Sequence, residues 1–410
     1  MASEKKRMNR RTFLHTTGLS TVSSVLALSA GLTGSALAAE AAKANASSKK
    51  EMPTRILGKT GAPVSILSLG GIDFTTNQIL LRMALKMGVT HWDTAHNYNN
   101  GNSEIGIGKY FEKTPEDRKR VFLVTKASGK SDPEGMTQRL NLSFERMKTD
   151  YIDLYFMHHV KNPKYLTREI KEWADQKKKE GKIKFFGFST HGNMAKMLMH
   201  ASKLGWIDAI MTTYNYHVMI KDDMKAAVDA CARADIGLIA MKTQGSPLKL
   251  INSSKELVVT ESFMDKGYTI EQAKLKTVWQ DERIASCCSK MKNITMLKDN
   301  AAAASDRKKL TVSDINQLKW LSKNTCNLYC QGCMRCETVL GSHYRIPDVL
   351  RYLMYFNSYG ETDEARRLLR QIPETVKKNI AVTDFSIAER VCPHHIEIGK
   401  MMREAVNVLA

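Results

Sequence analysis

The run Lys184-Phe185-Phe186-Gly187-Phe188 is followed by Met194–Leu204 and then by Ala209-Ile210-Met211-Thr212-Thr213. The two short apolar runs read as strands. Between them Met194, Met197, Leu198 and Ala201 fall on one stripe at helical spacing. A strand, an amphipathic helix and a second strand make a βαβ unit, whose strands are parallel. The same unit repeats outward in both directions. Strands are expected at Ile66–Leu69, Thr90–Thr94, Val121–Thr125, Tyr151–Met157, Lys184–Phe188, Ala209–Thr213, Gly237–Ala240 and Ile284–Cys287. Helices are expected at Thr76–Met87, Glu104–Glu112, Gly135–Met147, Thr167–Glu180, Met194–Leu204, Met224–Ala234, Ile270–Gln280 and Thr295–Ala304.

Eight strict alternations imply a parallel sheet, and at roughly 250 residues they suit an α/β fold of the (β/α)8 TIM barrel type. A doubly wound open sheet is the alternative. It would normally carry a glycine-rich turn after its first strand, and no G-x-G-x-x-G occurs. A barrel places its chemistry where strands end and loops begin. Asp93, Lys126, His158, Ser189, Thr190, Asn215, Lys242 and Ser289 all stand at or just past expected strand ends. A polar ring at one mouth is hard to explain as core packing.

The 410 residues are 43% apolar and 25% charged, which excludes a disordered, collagen-like or coiled-coil chain. The net charge of +20 comes from bases mixed with acids, and no basic-plus-stacking motif points to nucleic acid. Residues 1–38 carry Lys5, Lys6, Arg7, Arg10 and Arg11, then a mildly apolar run ending in Ala36-Leu37-Ala38. This reads as an export signal. Asn9-Arg10-Arg11-Thr12-Phe13-Leu14 resembles a twin-arginine signal, which implies the twin-arginine export machinery as a partner and a periplasmic or otherwise exported protein. A membrane anchor is the alternative, although Ser, Thr and Gly make the run a poor span. Residues 39–52 read as a linker and 53–306 as the barrel.

His91-Trp92-Asp93-Thr94-Ala95-His96-Asn97-Tyr98, continuing to Gly101-Asn102-Ser103-Glu104, resembles the aldo/keto reductase motif D-T-A-x-x-Y with a following G-x-S-E. Arg55–Gly61 resembles that family's barrel-plugging N-terminal hairpin. Val124-Thr125-Lys126, Asp153–His159, Gly181–Ser189 and Tyr214-Asn215 fit its later strands in order. The resemblance implies interconversion of a carbonyl and an alcohol. Tyr98 would be the general acid/base, Lys126 would lower its pKa from about 10, Asp93 would hold Lys126, and His158 would orient the carbonyl. His159 alternates away from His158 and reads as structural; His96 and His191 are candidate substrate contacts. The resemblance also implies NADP(H). Ser189 and Thr190 would meet the carboxamide, with Asn215 and Lys242 beside them and Lys292 and Asn300 toward the phosphate. Met211 stands where the family has Gln, and its nucleotide-clamping loop has no recognisable counterpart in Thr243–Tyr268.

After Asp306 the alternation stops, and 307–410 reads as a small helical domain. Cys330-x2-Cys333-x2-Cys336 with the remote Cys392-Pro393 resembles a ferredoxin-type site. It implies one [4Fe–4S] cluster on Cys330, Cys333, Cys336 and Cys392. A four-cysteine zinc site or disulfides are alternatives. Cys326-x3-Cys330-x2-Cys333 also has radical-SAM spacing, with Cys326 as a ligand. Cys231, Cys287 and Cys288 read as small core residues. The expected protein is an exported oxidoreductase acting on a small carbonyl or alcohol, with an electron-transfer protein as a partner. The alternative is a non-catalytic, nicotinamide-independent redox carrier on a reductase-like barrel.

Overall fold

Ten strands form among the described residues of the computed structural model, which are 51–71, 75–127, 132–245 and 254–410. The expected signal and all but the end of the linker lie outside them. Strands β1 (Thr54–Ile56) and β2 (Pro63–Ser65) pair as an antiparallel hairpin. The other eight are β3 (Leu67–Gly70), β4 (His91–Asp93), β5 (Phe122–Ala127), β6 (Ile152–Met157), β7 (Ile183–Thr190), β8 (Ala209–Thr213), β9 (Gly237–Met241) and β10 (Ile284–Lys290). They close into a parallel barrel, with β10 pairing both β9 and β3.

All eight expected barrel strands form. Besides β5, which runs through Lys126 to Ala127, two strands run past the apolar pattern, β7 to Thr190 and β10 to Lys290. Their last residues are polar because they face the mouth, yet they keep the ladder, with Ser189 opposite Met211 and Ser289 opposite Leu69. Backbone pairing and side-chain polarity separate there, so hydrophobic periodicity stops short of the true end.

The barrel is a packed core. Val124, Leu154, Phe156, Met211 and Ile239 fill its interior, and Leu57 and Val64 of the hairpin close its N-terminal end. Gly58 makes that plug possible: its φ is +49°, and a Cβ there would lie 2.4 Å from the Gly237 nitrogen. Around the barrel, helix Met194–Ala201 buries Met194, Met197, Leu198 and Ala201, the stripe read from the sequence.

Beyond the barrel the chain is helical. Helix Val312–Thr325 packs through Leu318 and Leu321 against Val259, Phe263 and Ala273 of the barrel's outer helices. A second core begins only at Cys336, where Ile346, Val349, Leu353, Leu369, Phe385 and Met402 meet. This core is fastened to the barrel's C-terminal mouth. Asp348 takes Lys161, Lys290 reaches Glu361 at 2.6 Å, and the Tyr359 hydroxyl donates to the Gly245 carbonyl at 2.7 Å. No helix among the described residues is long and apolar enough to cross a membrane.

Candidate functional site

Strands β4, β5 and β6 end side by side and deliver Asp93, Lys126 and His158 to one mouth. Lys126 is fully buried; its Nζ donates to Asp93 Oδ1 at 2.6 Å and to the Thr94 carbonyl at 2.7 Å. The same ammonium stands 5.1 Å from the Tyr98 ring centroid, and Tyr98 meets His158 edge-on at 5.6 Å. The loop carrying Tyr98 turns sharply through left-handed Asn99 and Asn100. The second half of the motif anchors that loop. Ser103 hydrogen-bonds Thr94 at 2.7 Å, and buried Glu104 accepts from Thr125 and Ser143 at 2.7 and 2.6 Å. Arg146 ties Glu104 to the His96 carbonyl, which it reaches at 2.7 Å.

The four expected catalytic residues are therefore together, but their electrostatics differ from expectation. Tyr98 is pushed well above its ordinary value near 10, first by burial and then by Asp93, with smaller contributions from Cys288, Tyr355 and Glu364. The ammonium expected to lower it is matched at 2.6 Å by Asp93. Asp93 is itself raised by burial, against the pull of Lys126. Burial, with the charges of His159 and Lys126, holds His158 well below the usual histidine range, so its imidazole is neutral at neutral pH.

Two further expectations are corrected. His159 does not turn away. β6 ends at Met157, so strand alternation no longer governs the chain, and His159 adopts φ +63°. Its ring lies 3.7 Å from that of His158, and its Nδ1 lies 3.2 Å from Nε2 of His191. Cys288 is not simply core, because its thiol sits beside Asp93 and Ser68 at the mouth. The inward face of β10 decides this, a register that two adjacent cysteines in an apolar run do not announce.

The expected cofactor residues lie along the same rim, and each has a partner within the chain. Ser189 accepts from the His159 backbone N–H at 3.2 Å, and the Thr190 hydroxyl donates to the Gly192 carbonyl at 2.8 Å. Asn215 donates to the Lys242 carbonyl at 3.0 Å and hydrogen-bonds Tyr329. Asn300 donates to Ser289 at 3.1 Å. Lys292 pairs with Glu361. Tyr329, Tyr355, Tyr359 and Glu361 thus bring the C-terminal segment to the mouth, and nothing in the barrel's periodicity marks them for that role.

Cys330, Cys333, Cys336 and Cys392 line one largely apolar pocket. Cys326 is not among its lining residues; its thiol lies 3.4 Å from the Lys323 carbonyl. Burial, with Cys333 and Cys392 adding to it, pushes the Cys330 thiol up to about 12, and burial raises Cys336 as well. No three His, Cys, Asp or Glu side chains among the described residues converge as ligands of a single metal ion. Gly332 joins this loop to the mouth. Its carbonyl accepts from Asn193 N–H at 2.7 Å, and a Cβ on it would lie 2.3 Å from the His191 carbonyl.

Comparison with known proteins agrees with this barrel. Residues 64–322 match the model of the aldo/keto reductase family. The chain is 28% identical over 209 residues to the uncharacterised oxidoreductase YrpG of Bacillus subtilis, covering 45% of this chain and 64% of that protein. It is 34% identical over 159 residues to aldo-keto reductase str7 of Strobilurus tenacellus, covering 38% of this chain and 46% of that protein. The matches thus span about half to two thirds of those relatives' lengths. A solved thermostable aldo-keto reductase, in complex with the inhibitor epalrestat, superposes with a TM-score of 0.54 at 26% identity, over 66% of this chain and all of that one. An aldo-keto reductase from Bacillus halodurans shares the fold at a TM-score of 0.54 and 21% identity, over 66% of this chain and 96% of that one. With more than half of its length matched and its barrel closed in the same way, the chain belongs to the aldo/keto reductase family.

Proposed function

We propose that the protein is an oxidoreductase that interconverts a small carbonyl and its alcohol, with Tyr98 giving and taking the proton. The convergence of Tyr98, Lys126, Asp93 and His158 on one mouth carries this reading. Hydride arriving at a carbonyl carbon leaves charge on oxygen, which a positioned hydroxyl quenches. Lys126 stands beside Tyr98, Asp93 keeps Lys126 in place, and neutral His158 can donate a hydrogen bond to the same oxygen. The test is NADPH-dependent reduction of a carbonyl panel; no turnover by wild-type protein with any carbonyl would sink the reading.

The residues present fit a nicotinamide dinucleotide phosphate. Lys290 and Lys292 already hold one anion, the Glu361 carboxylate, as they would hold a phosphate. Ser189, Thr190 and Asn215 would meet the nicotinamide amide, and Asn300 would steady the phosphate end. The bound cofactor supplies or accepts the hydride. Glu361 competes for those lysines, so Glu361→Gln is expected to tighten NADPH binding roughly tenfold, about 1.4 kcal/mol. Fluorescence titration of NADPH reads this directly, and an unchanged Kd would remove the two lysines from the phosphate site.

The four-cysteine pocket fits a [4Fe–4S] cluster. Burial makes the Cys330 and Cys336 thiols resist ionisation, and coordination to iron would relieve that cost. Four thiols lining one pocket are the donor set that such a cluster would take. Such a cluster staples a small helical core and exchanges single electrons. Export of the loaded protein by the twin-arginine route completes the proposal; fractionation of cells expressing the full chain tests it. A second, nicotinamide-independent electron-transfer reading is favoured by one observation, the hold of Tyr329 and Glu361 on Asn215, Lys290 and Lys292. Nucleotide released from anaerobically purified protein separates the two.

A further inference from the structure

Lys221 is a barrel residue that reaches the wall of the cysteine pocket. It ends the turn that follows β8 and stands at the start of helix Asp222–Arg233. Asn215 pins that turn. Its Oδ1 accepts from the His217 and Val218 N–H groups at 3.0 and 3.2 Å, and the Lys221 N–H donates to the Val218 carbonyl at 3.2 Å. From there Lys221 Nζ meets Nε2 of His394 at 2.8 Å, across 173 positions of chain. His394 lies two residues past Cys392 in a tight turn. The His395 N–H closes that turn on the Cys392 carbonyl at 3.2 Å, with His395 at φ +50°.

The pocket wall itself holds no carboxylate and no Lys or Arg. Besides the four cysteines, its only polar side chains are Gln331 and His394. An ammonium has three donors and no acceptor, so Nε2 of His394 accepts and the ring proton sits on Nδ1. Lys221 is thus a cation set directly behind the one imidazole of the wall. Burial works against its charge, whereas Cys333, Asp223 and Cys330 favour it. Asp223 and Arg335, the other charged groups acting on Lys221, are exposed, and Lys221 is half-buried. Solvent and salt therefore screen those two more than they screen Lys221.

We propose that Lys221 sets the reduction potential of the cluster in this pocket, holding it above the value that the thiolates alone would give. This rests on the cluster reading above. Thiolates around an iron–sulfur core leave net negative charge, and taking one electron from a reductant deepens it. A nearby ammonium favours the reduced form more than the oxidised form, and so eases that uptake. Lys221 touches no reacting atom. It is a positioning residue that acts through His394, fixing the imidazole and bringing to the wall a charge that the wall's own residues lack. The barrel thereby tunes a centre whose four ligands all come from the C-terminal segment.

The test is an anaerobic potentiometric titration of the full-length holoprotein. Dithionite is the reductant, and the electron paramagnetic resonance signal of the reduced cluster is the readout, independent of turnover. Lys221→Met is expected to keep its iron and sulfide while its equilibrium constant for one-electron reduction falls roughly tenfold, a potential about 59 mV lower. Lys221→Arg should restore most of that loss. Arg335→Met removes an equal but exposed charge and should shift the potential much less. An unchanged potential in Lys221→Met would overturn the proposal, as would equal shifts in Lys221→Met and Arg335→Met or a wild-type cluster that dithionite does not reduce. If Lys221→Met loses its iron, Lys221→Gln, which keeps a donor for His394, is titrated in its place. Iron lost from both shows that Lys221 builds the pocket and overturns the tuning role. Failure of the cluster reading looks different: the wild-type protein would then hold no iron and sulfide.

Discussion

Tyr98→Phe is expected to lower the rate of carbonyl reduction by roughly 10²–10⁴-fold, in the first turnover as well as in steady state. Phenylalanine keeps the ring that meets His158 at 5.6 Å and Lys126 at 5.1 Å, so packing survives and only the hydroxyl is lost. NADPH affinity and thermal stability should therefore stay near wild type, and parallel measurement of both isolates the chemical effect. Lys126→Met is a less clean probe. It leaves Asp93 buried without the partner it meets at 2.6 Å, and losing one member of a buried pair costs about 3–5 kcal/mol of stability. A Tyr98→Phe protein that reduces carbonyls at the wild-type rate would remove Tyr98 from the chemistry and turn attention to His158.

The second large effect concerns the cysteine pocket. Cys392→Ala is expected to abolish binding of a full cluster, with loss of iron, sulfide and visible absorbance. Of the four cysteines only Cys392 comes from beyond helix Ser386–Arg390, while Cys330 and Cys333 lie in the loop before helix Arg335–Leu340 and Cys336 in its first turn. Removing it unfastens the two ends of the second core. Hydrogen exchange in the helices Ile346–Asn357 and Ile398–Leu409 should accelerate roughly tenfold or more, the response to about 1.4 kcal/mol of lost local stability. The barrel strands should stay protected. Cys326→Ala is the control and should keep its iron, because Cys326 is not among the pocket's lining residues. Zinc instead of iron in the wild-type protein, or full iron in Cys392→Ala, would overturn the cluster assignment.

The two effects meet where the cysteine loop touches the mouth. Gly332 lies against the His191 carbonyl, His191 hydrogen-bonds His159 at 3.2 Å, and the His159 ring lies 3.7 Å from that of His158. The C-terminal segment is therefore part of the site's wall. It brings Tyr355 beneath Lys242 and Glu361 against Lys290 and Lys292.

The amino-acid sequence by itself determined the barrel and its four central side chains. Alternating strand and helix periods are local properties, readable over windows of a dozen residues. Asp93, Lys126 and His158 stand at or just past strand ends, so the register of β4, β5 and β6 brought them together once the barrel closed. Tyr98 follows within the same motif. The grouping of Cys330, Cys333 and Cys336 was equally local, and the Cys-Pro at Cys392 was legible by its likeness to a ferredoxin-type site. Only the tertiary structure placed Cys288 beside Asp93, turned His159 onto His158, and set Tyr355 and Glu361 over the mouth. The acidity of Tyr98 also lay beyond the sequence. It depends on how completely Asp93 neutralises Lys126 and on how much water the C-terminal segment leaves at the mouth. Such outcomes depend on contacts between residues apart in the chain, more than a hundred positions for Cys288 with Asp93 and for Lys242 with Tyr355. No period of two or 3.6 residues encodes a contact of that range, and burial and charge take effect only once the chain has closed on itself.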